Sequence, residues 1–263
     1  MVNKNSIFDR KLLKHNLNRF SKNFEKSDFL FREISNRLIE NIRDFNQDFS
    51  NILEINARDG YLGKEISKIK NSKNLTQTNI SNNFQLPNQI IIDDEELNFA
   101  QNSFDLVVNN LNLHFNNDVL GILNQNKKLL KDEGLFVCSF FGGTTLKELR
   151  DVFNKIELQL YNGISPRIIP FIDIKTAGAL AQNANFKNII CDSQIIEISY
   201  SSLLKLLQDL RNMGLGNILF YRNKRPLTKK MLFLMEKLIS ELYPSQPDGF
   251  VVSFEVITIT AFN

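Results

Sequence analysis

The sequence predicts an α/β protein built on a mostly parallel β-sheet that helices cover on both faces. Short apolar stretches of strand length alternate with amphipathic stretches of helix length through residues 49–146. The connections between them are short and contain turn-forming residues, as at positions 56–60 and 142–144. Strands that alternate with helices over short connections pair in parallel, and the helices then pack on both faces of the sheet.

The elements of the first half follow from their hydrophobic periods. In residues 28–44, Leu30, Ile34 and Leu38 recur every fourth position, which predicts an amphipathic helix. Gly134 lies between a helix and a strand, where a positive φ is expected. The remaining predicted elements are strands at residues 49–55, 75–80, 89–92, 104–109 and 135–141, and helices at residues 61–69 and 118–130.

The second half is less regular. Helices are predicted at residues 145–158, 174–184, 203–213 and 229–242, and a strand at 188–192 that continues as a β-rich stretch to residue 200. Residues 164–171 contain Pro166 and Pro170 and predict a loop. In residues 250–261, apolar and polar side chains alternate, but the alternation slips by one residue at Ile257. We expect an antiparallel strand with one wetter face, and a β-bulge or a hairpin-edge bend at the slip.

Composition and charge exclude several classes of protein. The 43% hydrophobic and 23% charged residues are near globular averages, which excludes a disordered, collagen-like or coiled-coil chain. The 32 Lys and Arg against 29 Asp and Glu give a net charge of +3, too small an excess to indicate a nucleic-acid or anionic-membrane partner. No apolar run approaches the roughly 20 residues of a spanning helix. Residues 1–10 lack the pattern of a secretory signal, whereas residues 11–26 are basic and helix-like, which leaves organelle targeting open.

Cysteine and histidine are scarce, which limits metal chemistry. Cys138 and Cys191 are too few for a four-thiolate site, and His15 and His114 are too few for a His-rich centre within one chain. An iron site of two histidines and a carboxylate would need both, and they are far apart in the sequence. We therefore expect no metal site, and we expect a cytoplasmic protein, or one of an organelle matrix if its source is eukaryotic.

Candidate ligand-binding residues follow the strands of the first half. In an open parallel sheet, ligands bind at the carboxyl ends of the strands, near the point where the strand order reverses. Glu54 precedes a small-residue turn that ends at Gly60, an arrangement that suits a nucleotide-type cofactor because glycine lets the backbone approach closely. The alternative is an ordinary strand-to-helix turn with Asp59 near the helix start.

Three further strand ends have suggestive residues. Asp93 and Asp94 follow residues 90–92, where a carboxylate can accept a hydrogen bond from an adenine amino group or can favour a helix N-terminus by its charge. His114 lies on a turn after residue 109 and has either a catalytic or a structural role. The paired glycines at 142–143 leave room for a substrate or make the turn into the next helix.

Together, these residues resemble a known family. The turn at 54–60, Asp93 and the segments 102–108 and 129–134 resemble class I S-adenosylmethionine-dependent methyltransferases. The chain is more closely similar to the methyltransferase-like assembly factors of respiratory complex I, the NADH dehydrogenase. That similarity lies in residues 8–10, 111–115, 141–150, Pro166 with Pro170, and 209–214. The malonyl-carrier-protein methyltransferases of biotin synthesis are similar in the first half, including the residues around His114.

The resemblance implies a fold and a division of the chain. The fold is the Rossmann-like class I methyltransferase fold, with a mostly parallel seven-stranded sheet, an antiparallel C-terminal strand and an extra helical segment. The division is an N-terminal helical segment at 1–48, a cofactor-binding half at 49–146, and a C-terminal half at 147–263 with a helical insertion and the last strands.

The resemblance also implies roles for individual residues. Glu54 matches the acid that orients the methionine end of S-adenosylmethionine, and Asn79 matches the acid that binds the ribose hydroxyls. Asp93 matches the acid that contacts adenine, with Asp94 beside it. The remaining matches are the three glycine positions of the cofactor turn (Asn56, Arg58 and Gly60), the catalytic positions beside the methyl donor (Asn109 and His114), and the substrate or partner positions (Gly142, Gly143, Thr144 and Arg150).

Three departures from the family pattern, at Asn56, Arg58 and Asn79, leave the function open. Arg58 places a cation where a positive sulfonium should approach, and Asn79 replaces a charge-assisted contact with a neutral one that is about 1–2 kcal/mol weaker. The chain is therefore an enzyme that uses S-adenosylmethionine, or a non-catalytic assembly module with a degenerate cofactor turn. The resemblance to the complex I assembly factors also implies hydroxylation of an arginine of a complex I subunit as an activity of this fold. A third alternative is methyl transfer to a carboxylate of a carrier protein or small molecule. We expect a protein partner, which the resemblance implies is a complex I subunit, and no nucleic acid.

Overall fold

The computed structural model describes residues 6–263, and seven strands form one sheet within them. Positions 1–5 of the predicted 1–48 segment, and of the stretch 1–10, lie outside the described residues. The strands are β1 Asn51–Ile55, β2 Asn74–Asn79, β3 Ile90–Ile91, β4 Phe104–Asn109, β5 Leu130–Phe141, β6 Lys187–Tyr200 and β7 Phe250–Phe262. The helices are α1 Arg10–Phe20, α2 Phe29–Arg43, α3 Tyr61–Ile69, α4 Val119–Leu129, α5 Lys147–Tyr161, α6 Ile174–Asn183, α7 Leu203–Asn212 and α8 Lys229–Leu242. None of these helices of residues 6–263 combines the length and the apolar composition needed to cross a bilayer.

The strand order of the sheet is β3-β2-β1-β4-β5-β7-β6. The pairs from β3 across to β5 are parallel, and β7 is antiparallel to both β5 and β6. The expected fold class is therefore confirmed, with the antiparallel last strand inserted between β5 and β6. The order of the strands reverses between β1 and β4, so the crevice that suits a ligand opens at the carboxyl ends of these two strands.

The two faces of the sheet have separate cores. One core contains apolar side chains of β1, β4, β5 and β7 together with those of α2, α3, α5, α7 and α8. The other contains the alternate side chains of the same strands together with those of α4 and α6. Because strand side chains point alternately to the two faces, neighbours such as Leu106 and Val107 belong to different cores. The sheet is therefore covered on both sides, as predicted.

Most predicted elements have counterparts close to the expected positions. The helix at 61–69 and the strand at 104–109 are found at those residues. β5 begins at Leu130, five residues before the predicted start, and β6 is one strand from Lys187 to Tyr200. The division of the chain into segments 1–48, 49–146 and 147–263 stays a prediction.

The predicted bulge of the last strand is wrong. The pairing of β7 with β5 runs without a shift from Leu135–Phe262 to Phe141–Val256, and its pairing with β6 is continuous through Ile257. The predicted wetter face is limited to Val251 and Glu255, which are half-exposed, whereas Ser253 and Thr258 are buried. Because β7 lies inside the sheet between β5 and β6, most of its polar side chains are buried despite the alternation.

The expected positive φ of Gly134 is also wrong. The left-handed residue is its neighbour Glu133, with φ 60°. Gly134 is required for space, because a Cβ there would lie 2.9 Å from the carbonyl oxygen of Lys131 and 3.1 Å from Cβ of Leu130. The glycine therefore allows close packing at the start of β5 rather than an unusual backbone conformation.

The N-terminal segment is attached to a loop from the C-terminal half. The backbone N–H of Asp9 donates to the carbonyl oxygen of Ile218 at 2.8 Å, and that of Phe220 donates to the carbonyl oxygen of Ile7 at 2.8 Å. Phe8 donates its N–H to Oδ1 of Asn117 at 2.8 Å. These bonds place α1, which begins at Arg10, beside the carboxyl ends of the strands.

Candidate functional site

The turn after β1 has three left-handed residues in alternation. Asn56 has φ 52°, Arg58 has φ 54° and Gly60 has φ 74°. Side chains other than glycine adopt this conformation at a cost of roughly 1–2 kcal/mol each. Hydrogen bonds hold it here, because the N–H of Arg58 donates to Oδ1 of Asn79 at 2.9 Å and the N–H of Ile80 donates to Oδ1 of Asn56 at 3.1 Å. The turn therefore keeps the backbone course of a glycine-rich turn at the three positions that the resemblance assigned to glycine.

The side chain of Arg58 is buried beside this turn and forms no ion pair with the other residues of 6–263. The residue is 3% exposed, and within the same range Nε, Nη1 and Nη2 all lack a hydrogen-bond partner. Its guanidinium carbon lies 5.5 Å from the ring centre of Phe31 and 5.9 Å from that of Phe84. Burial lowers the pKa of Arg58 to about 10, against the opposing charge of Asp94, so the group is still a cation at neutral pH.

Little space is left around Arg58. Side chains of α2, the turn and Asn110 enclose about 10 Å³ there, which holds about one water molecule. This is the end of the crevice where the resemblance places the methionine part of the cofactor. The crevice is therefore filled at that end by the chain's own side chains.

Glu54, at the end of β1, is neutral for most of the time at neutral pH. It is 2% exposed, and its Oε2 accepts a hydrogen bond from Nε2 of Gln77 at 2.7 Å. Burial raises the pKa of Glu54 to about 8, although the bonds from Gln77 and from the backbone of Gly63 oppose the shift. A mostly protonated carboxyl is a weak partner for the ammonium group of a methionine moiety.

The side chain of Asn79, at the end of β2, forms hydrogen bonds within the protein. Its Oδ1 accepts from the N–H of Arg58, and its Nδ2 donates to the carbonyl oxygen of Arg58 at 3.2 Å and to Oε1 of Gln89 at 3.0 Å. The residue is 1% exposed. The side chain expected to bind the ribose hydroxyls therefore stabilises the turn that holds Arg58.

The two acids after β3 have different surroundings. Asp93 caps a short 3-10 helix and keeps about a third of its side chain exposed. Asp94 is 2% exposed and accepts hydrogen bonds from Nδ2 of Asn112 at 2.9 Å and of Asn116 at 2.7 Å. Arg10, from the first turn of α1, forms ion pairs with both acids. Burial opposes ionisation of Asp94, but Arg10 and the amides hold its pKa below its usual value.

Unpartnered polar atoms concentrate along this edge of the sheet. Asn109 ends β4, opposite Ile55 of β1 and Cys138 of β5, and its Oδ1 has no hydrogen-bond partner. Buried polar atoms normally have partners, so such a group marks a place where a polar ligand can bind. Within residues 6–263, the other unpartnered atoms here include Nε of Arg10, Nδ2 of Asn56, Oδ1 of Asn112 and of Asn116, and Nε2 of His114.

His114 is buried on the turn after β4. Its Nδ1 accepts a hydrogen bond from the N–H of Phe141 at 3.3 Å, which assigns the imidazole proton to Nε2. Its ring centre lies 4.1 Å from that of Phe115 and 5.7 Å from that of Phe171. Burial and the cation of Arg58 hold the pKa of His114 well below its ordinary value, so the ring is neutral at neutral pH.

A cavity of about 270 Å³ lies beside His114. One wall is aromatic and includes Phe141 and Phe171, and helices α5 and α7 contribute aliphatic side chains such as Leu149 and Leu210. Segments that the sequence identified separately meet here: 111–115, 141–150, 166–170 and 209–214 each contribute lining residues. The full lining is His114, Phe115, Phe141, Thr145, Leu146, Leu149, Phe153, Arg167, Ile168, Ile169, Phe171, Leu207, Leu210, Arg211, Leu215, Gly216, Asn217, Arg222, Asn223 and Leu227.

The residues expected to bind a substrate at 142–144 lie against Glu255 of β7 rather than in the cavity lining. Thr144 donates from its N–H at 2.8 Å and from Oγ1 at 2.9 Å to Oε2 of Glu255, and Gly142 donates its N–H to the carbonyl oxygen of Glu255 at 2.9 Å. Arg150 donates to the carbonyl oxygen of Gly143 at 3.3 Å. In this structure, these contacts fix the turn between β5 and α5.

Two arginines at the site were not singled out by the sequence analysis. Arg10 covers Asp93 and Asp94, and Arg167 lines the cavity with its side chain 9% exposed. Arg10 belongs to residues 8–10, and Arg167 lies between Pro166 and Pro170. Both places carry the family resemblance, and this was the signal in the sequence that could have identified the two arginines.

Among residues 6–263, no three His, Cys, Asp or Glu side chains group in a way that could hold a metal ion.

Comparisons with known proteins identify the family. A family model described as a methyltransferase domain matches residues 8–190. The arginine-hydroxylase NDUFAF5 of Rattus norvegicus mitochondria is 32% identical over 95% of this chain and 76% of its own length. The chain belongs to the methyltransferase-domain family and to its NDUFAF5-like branch.

More distant matches agree with this methyltransferase assignment. The malonyl-[acyl-carrier protein] O-methyltransferase of Gallionella capsiferriformans is 25% identical over 80% of this chain and 77% of its own length. The YcgJ protein of Bacillus subtilis has a solved structure that covers 88% of this chain and 98% of its own, with a TM-score of 0.59 at 12% identity. That last likeness shows the fold alone, and it agrees with the strand order.

The residues of this methyltransferase-fold protein do not fit S-adenosylmethionine in the observed arrangement. The guanidinium of Arg58 lies against the rings of Phe31 and Phe84, and the residue lines the small pocket at the turn that the resemblance assigns to the cofactor. Two cations in a low-dielectric crevice repel each other, which opposes a sulfonium there. Glu54 is largely neutral, and the amide of Asn79 is engaged with the turn. Cofactor binding would require Arg58 to leave the crevice.

The turn at 142–144 generates a prediction about stability. A Cβ on Gly142 would lie 2.5 Å from Cδ of Glu255, whereas a Cβ on Gly143 would meet nothing within 4 Å. Since Glu255 is held by Thr144 and Ser193, Gly142→Ala should lower the free energy of unfolding by about 1–3 kcal/mol. Urea unfolding measures this change. Gly143→Ala is the matched control, expected within about 0.5 kcal/mol of the wild type, and equal effects of the two substitutions would contradict the close packing.

Glu54 generates a prediction about pH dependence. Its pKa is about 8 in the folded state against an ordinary value of 4.5, so the folded state binds the extra proton between these pH values. Stability from this group is therefore present at low pH and is lost as pH rises towards 8. Glu54→Gln cannot ionise and should flatten the decline by up to about 1.4 kcal/mol per pH unit. Urea unfolding from pH 5 to 9 tests this, with exposed Glu40→Gln as control, and an unchanged slope in Glu54→Gln would show that Glu54 is ionised when folded.

Proposed function

We propose that this protein is an assembly factor that uses a methyltransferase fold to bind a group of a protein partner in the cavity beside His114. The observation that supports it is the convergence of four segments on one cavity. Residues 111–115, 141–150 and 209–214 are separate in the chain and carry the similarity to complex I assembly factors. Pro166 and Pro170 carry it too, and they flank the lining residues 167–169. Segments that a family shares and that meet around one cavity suit a common binding role.

The contrast between the two ends of the site supports the same proposal. The cofactor end encloses about 10 Å³ around Arg58, whereas the cavity at His114 has about 270 Å³. The aromatic and aliphatic lining suits the side chain of a partner, because burial of apolar area favours association. In this proposal the partner-binding half of the site is retained and the cofactor half is closed.

The partner that we propose is a subunit of respiratory complex I. Its support is the resemblance to complex I assembly factors and the similarity to the rat protein named arginine-hydroxylase NDUFAF5, mitochondrial. The compartment that we propose is the cytoplasm, or the organelle matrix if the source is eukaryotic.

A second candidate function is an enzyme that uses S-adenosylmethionine to modify the partner. The unpartnered atoms of Asn56, Asn109, Asn112 and Asn116 favour it, because they line the edge of the sheet where the family binds its cofactor. In this candidate, Arg58 leaves the crevice when the cofactor binds, and the neutral His114 positions the acceptor group through Nε2–H.

The first candidate predicts that filling the cavity abolishes function in cells. Leu149→Trp adds a bulky ring to the lining and should prevent partner binding, so complex I should fail to assemble in cells that express this variant in place of the wild type. Native gels of membrane extracts measure assembled complex I. The matched control is Leu158→Trp on the same helix, where the side chain is 53% exposed, and it should support assembly.

The assembly and the chemical modification of complex I together distinguish the two candidate functions. Normal complex I in the Leu149→Trp strain, with the variant folded, would contradict the cavity as the partner site. Mass analysis of the complex I subunits from wild-type and deletion strains should show no added methyl group or oxygen atom if the protein only binds. A modification that depends on the protein would support the enzyme instead.

The cofactor end generates a second prediction. Calorimetric titration of the wild type with S-adenosylmethionine or S-adenosylhomocysteine should give no saturable heat at millimolar ligand. Arg58→Gly removes the cation and relieves the left-handed strain, so it should bind S-adenosylhomocysteine roughly tenfold or more tightly than the wild type does. Arg43→Gly, at an exposed helix end, is the control for lost charge. Tight binding by the wild type, unchanged in Arg58→Gly, would show that Arg58 does not block the crevice.

A further inference from the structure

The pocket at the turn after β1 contains one positive charge that no residue of 6–263 balances. Its ionisable lining residues are Arg32, Glu54, Arg58 and Asp59. Arg32 forms an ion pair with Asp59, so these two charges cancel. Burial raises the pKa of Glu54 to about 8, so this carboxyl is mostly neutral at neutral pH. The remaining charge belongs to Arg58, which is 3% exposed.

Asp94 acts on Arg58 from outside the pocket lining, but it does not neutralise the guanidinium. Its charge opposes the fall in the pKa of Arg58. Asp94 is itself paired with Arg10 and accepts hydrogen bonds from Asn112 and Asn116. A buried cation without a partner of its own is strongly unfavourable, and an anion bound beside Arg58 would remove this cost.

The N–H groups of Arg58 also lack acceptors. Nε, Nη1 and Nη2 have no hydrogen-bond partner among the described residues, although a guanidinium has five N–H bonds to donate. The rings of Phe31 and Phe84, at 5.5 and 5.9 Å, stabilise the positive charge in part. Aromatic rings are weak acceptors for N–H groups, so most of the donor capacity is left for a ligand.

A second donor, the hydroxyl of Ser35 on α2, lines the same pocket. Its Oγ accepts a hydrogen bond from Nδ2 of Asn110 at 2.8 Å, and the residue is 4% exposed. A serine within a helix can donate its O–H to the carbonyl oxygen four residues earlier. That carbonyl oxygen, of Phe31, accepts from Nδ2 of Asn110 at 2.9 Å instead. The O–H of Ser35 donates to no residue of 6–263 and is available to a ligand.

The size of the pocket selects a monatomic ion. Its volume is about 10 Å³, which corresponds to one water-sized particle. The guanidinium is also closely enclosed by the segment 209–214, because a Cβ on Gly214 would lie 3.5 Å from Nη1 of Arg58. A carboxylate, sulfate or phosphate group has three or more heavy atoms and exceeds this space. A chloride ion is a single atom that is only slightly larger than a water molecule.

We propose that the pocket at the turn after β1 binds a chloride ion, with the guanidinium of Arg58 and the hydroxyl of Ser35 as its donors. The ion balances the charge of Arg58 and accepts charge-assisted hydrogen bonds from both side chains. It also stabilises Arg58 in its observed position against Phe31 and Phe84. Chloride binding at this pocket does not depend on the proposed role of the cavity beside His114.

Thermal unfolding of the full-length protein at constant ionic strength tests the chloride site. Sodium chloride, up to about 100 mM, replaces sodium gluconate, whose anion is too large for the pocket. Because chloride binds only the folded state, the Tm of the wild type should rise by roughly 2–5 °C. Bromide is also monatomic and should raise Tm to a similar extent.

Matched variants distinguish chloride binding from general effects of salt. Arg58→Gly removes the cation and suits the φ of 54°, so its Tm should be the same in chloride and in gluconate. Ser35→Ala should weaken chloride binding roughly tenfold, because one hydrogen bond to the anion is lost. Arg43→Gln removes an exposed positive charge and should keep the full response of the wild type.

A crystal of the wild type soaked in sodium bromide locates the ion without any substitution. The anomalous signal should show bromide within hydrogen-bond distance of the guanidinium of Arg58 and of Oγ of Ser35. A crystal without bromide at this pocket would overturn the chloride site, as would an equal response of the wild type and Arg58→Gly to chloride.

Organic carboxylates are the competing ligands for Arg58. A Tm of the wild type that rises with L-methionine or S-adenosylhomocysteine but not with chloride would assign Arg58 to a carboxylate and would also overturn the chloride site. Failure of the chloride site is distinguishable from failure of the proposed function, because complex I assembly in the Leu149→Trp strain reports only on the cavity beside His114.

Discussion

The buried guanidinium of Arg58 is the constraint on which the rest of the site depends. A cation without a counter-ion in a protein interior is costly, by several kcal/mol even after relaxation. Contacts with the rings of Phe31 and Phe84 offset part of this cost, and Phe24 packs edge-on against both rings at 5.2 and 5.6 Å. An aromatic cluster thus surrounds a charged side chain at a position where the family pattern has glycine. The pocket that Arg58 lines at this turn has a volume of about 10 Å³.

The polar side chains next to Arg58 form their hydrogen bonds and ion pairs with one another, as expected if no cofactor occupies this end of the crevice. Asn79 holds both backbone groups of Arg58, Glu54 is held by Gln77 as a mostly neutral carboxyl, and Arg10 pairs with Asp94. The effect reaches the cavity, because the charge of Arg58 contributes to the low pKa of His114. The turn at Arg58 and the cavity beside His114 are therefore electrostatically coupled, and the cavity beside His114 is much larger than the pocket that Arg58 lines.

The fold was predictable because its signals are local. Periodicity located α3 and β4 at their observed residues, and the alternation of strands and helices indicated the parallel sheet. The burial of Thr258 was not predictable, since it depends on β7 lying between β5 and β6. At the site, the sequence indicated that Arg58 opposes the cofactor, but its burial depends on Phe31 and Phe84 from distant segments. Arg167 was missed because a loop between two prolines gives no periodic signal, and its ion pair with Glu157 exists only in the folded chain.

A crystal structure of the protein grown with millimolar S-adenosylhomocysteine would show whether Arg58 closes the cofactor end of the site. We expect the side chain of Arg58 to lie between Phe31 and Phe84 and no adenosyl group to occupy the crevice. An adenosyl group bound along the ends of β1 and β2, with Arg58 displaced from the aromatic cluster, would contradict this expectation.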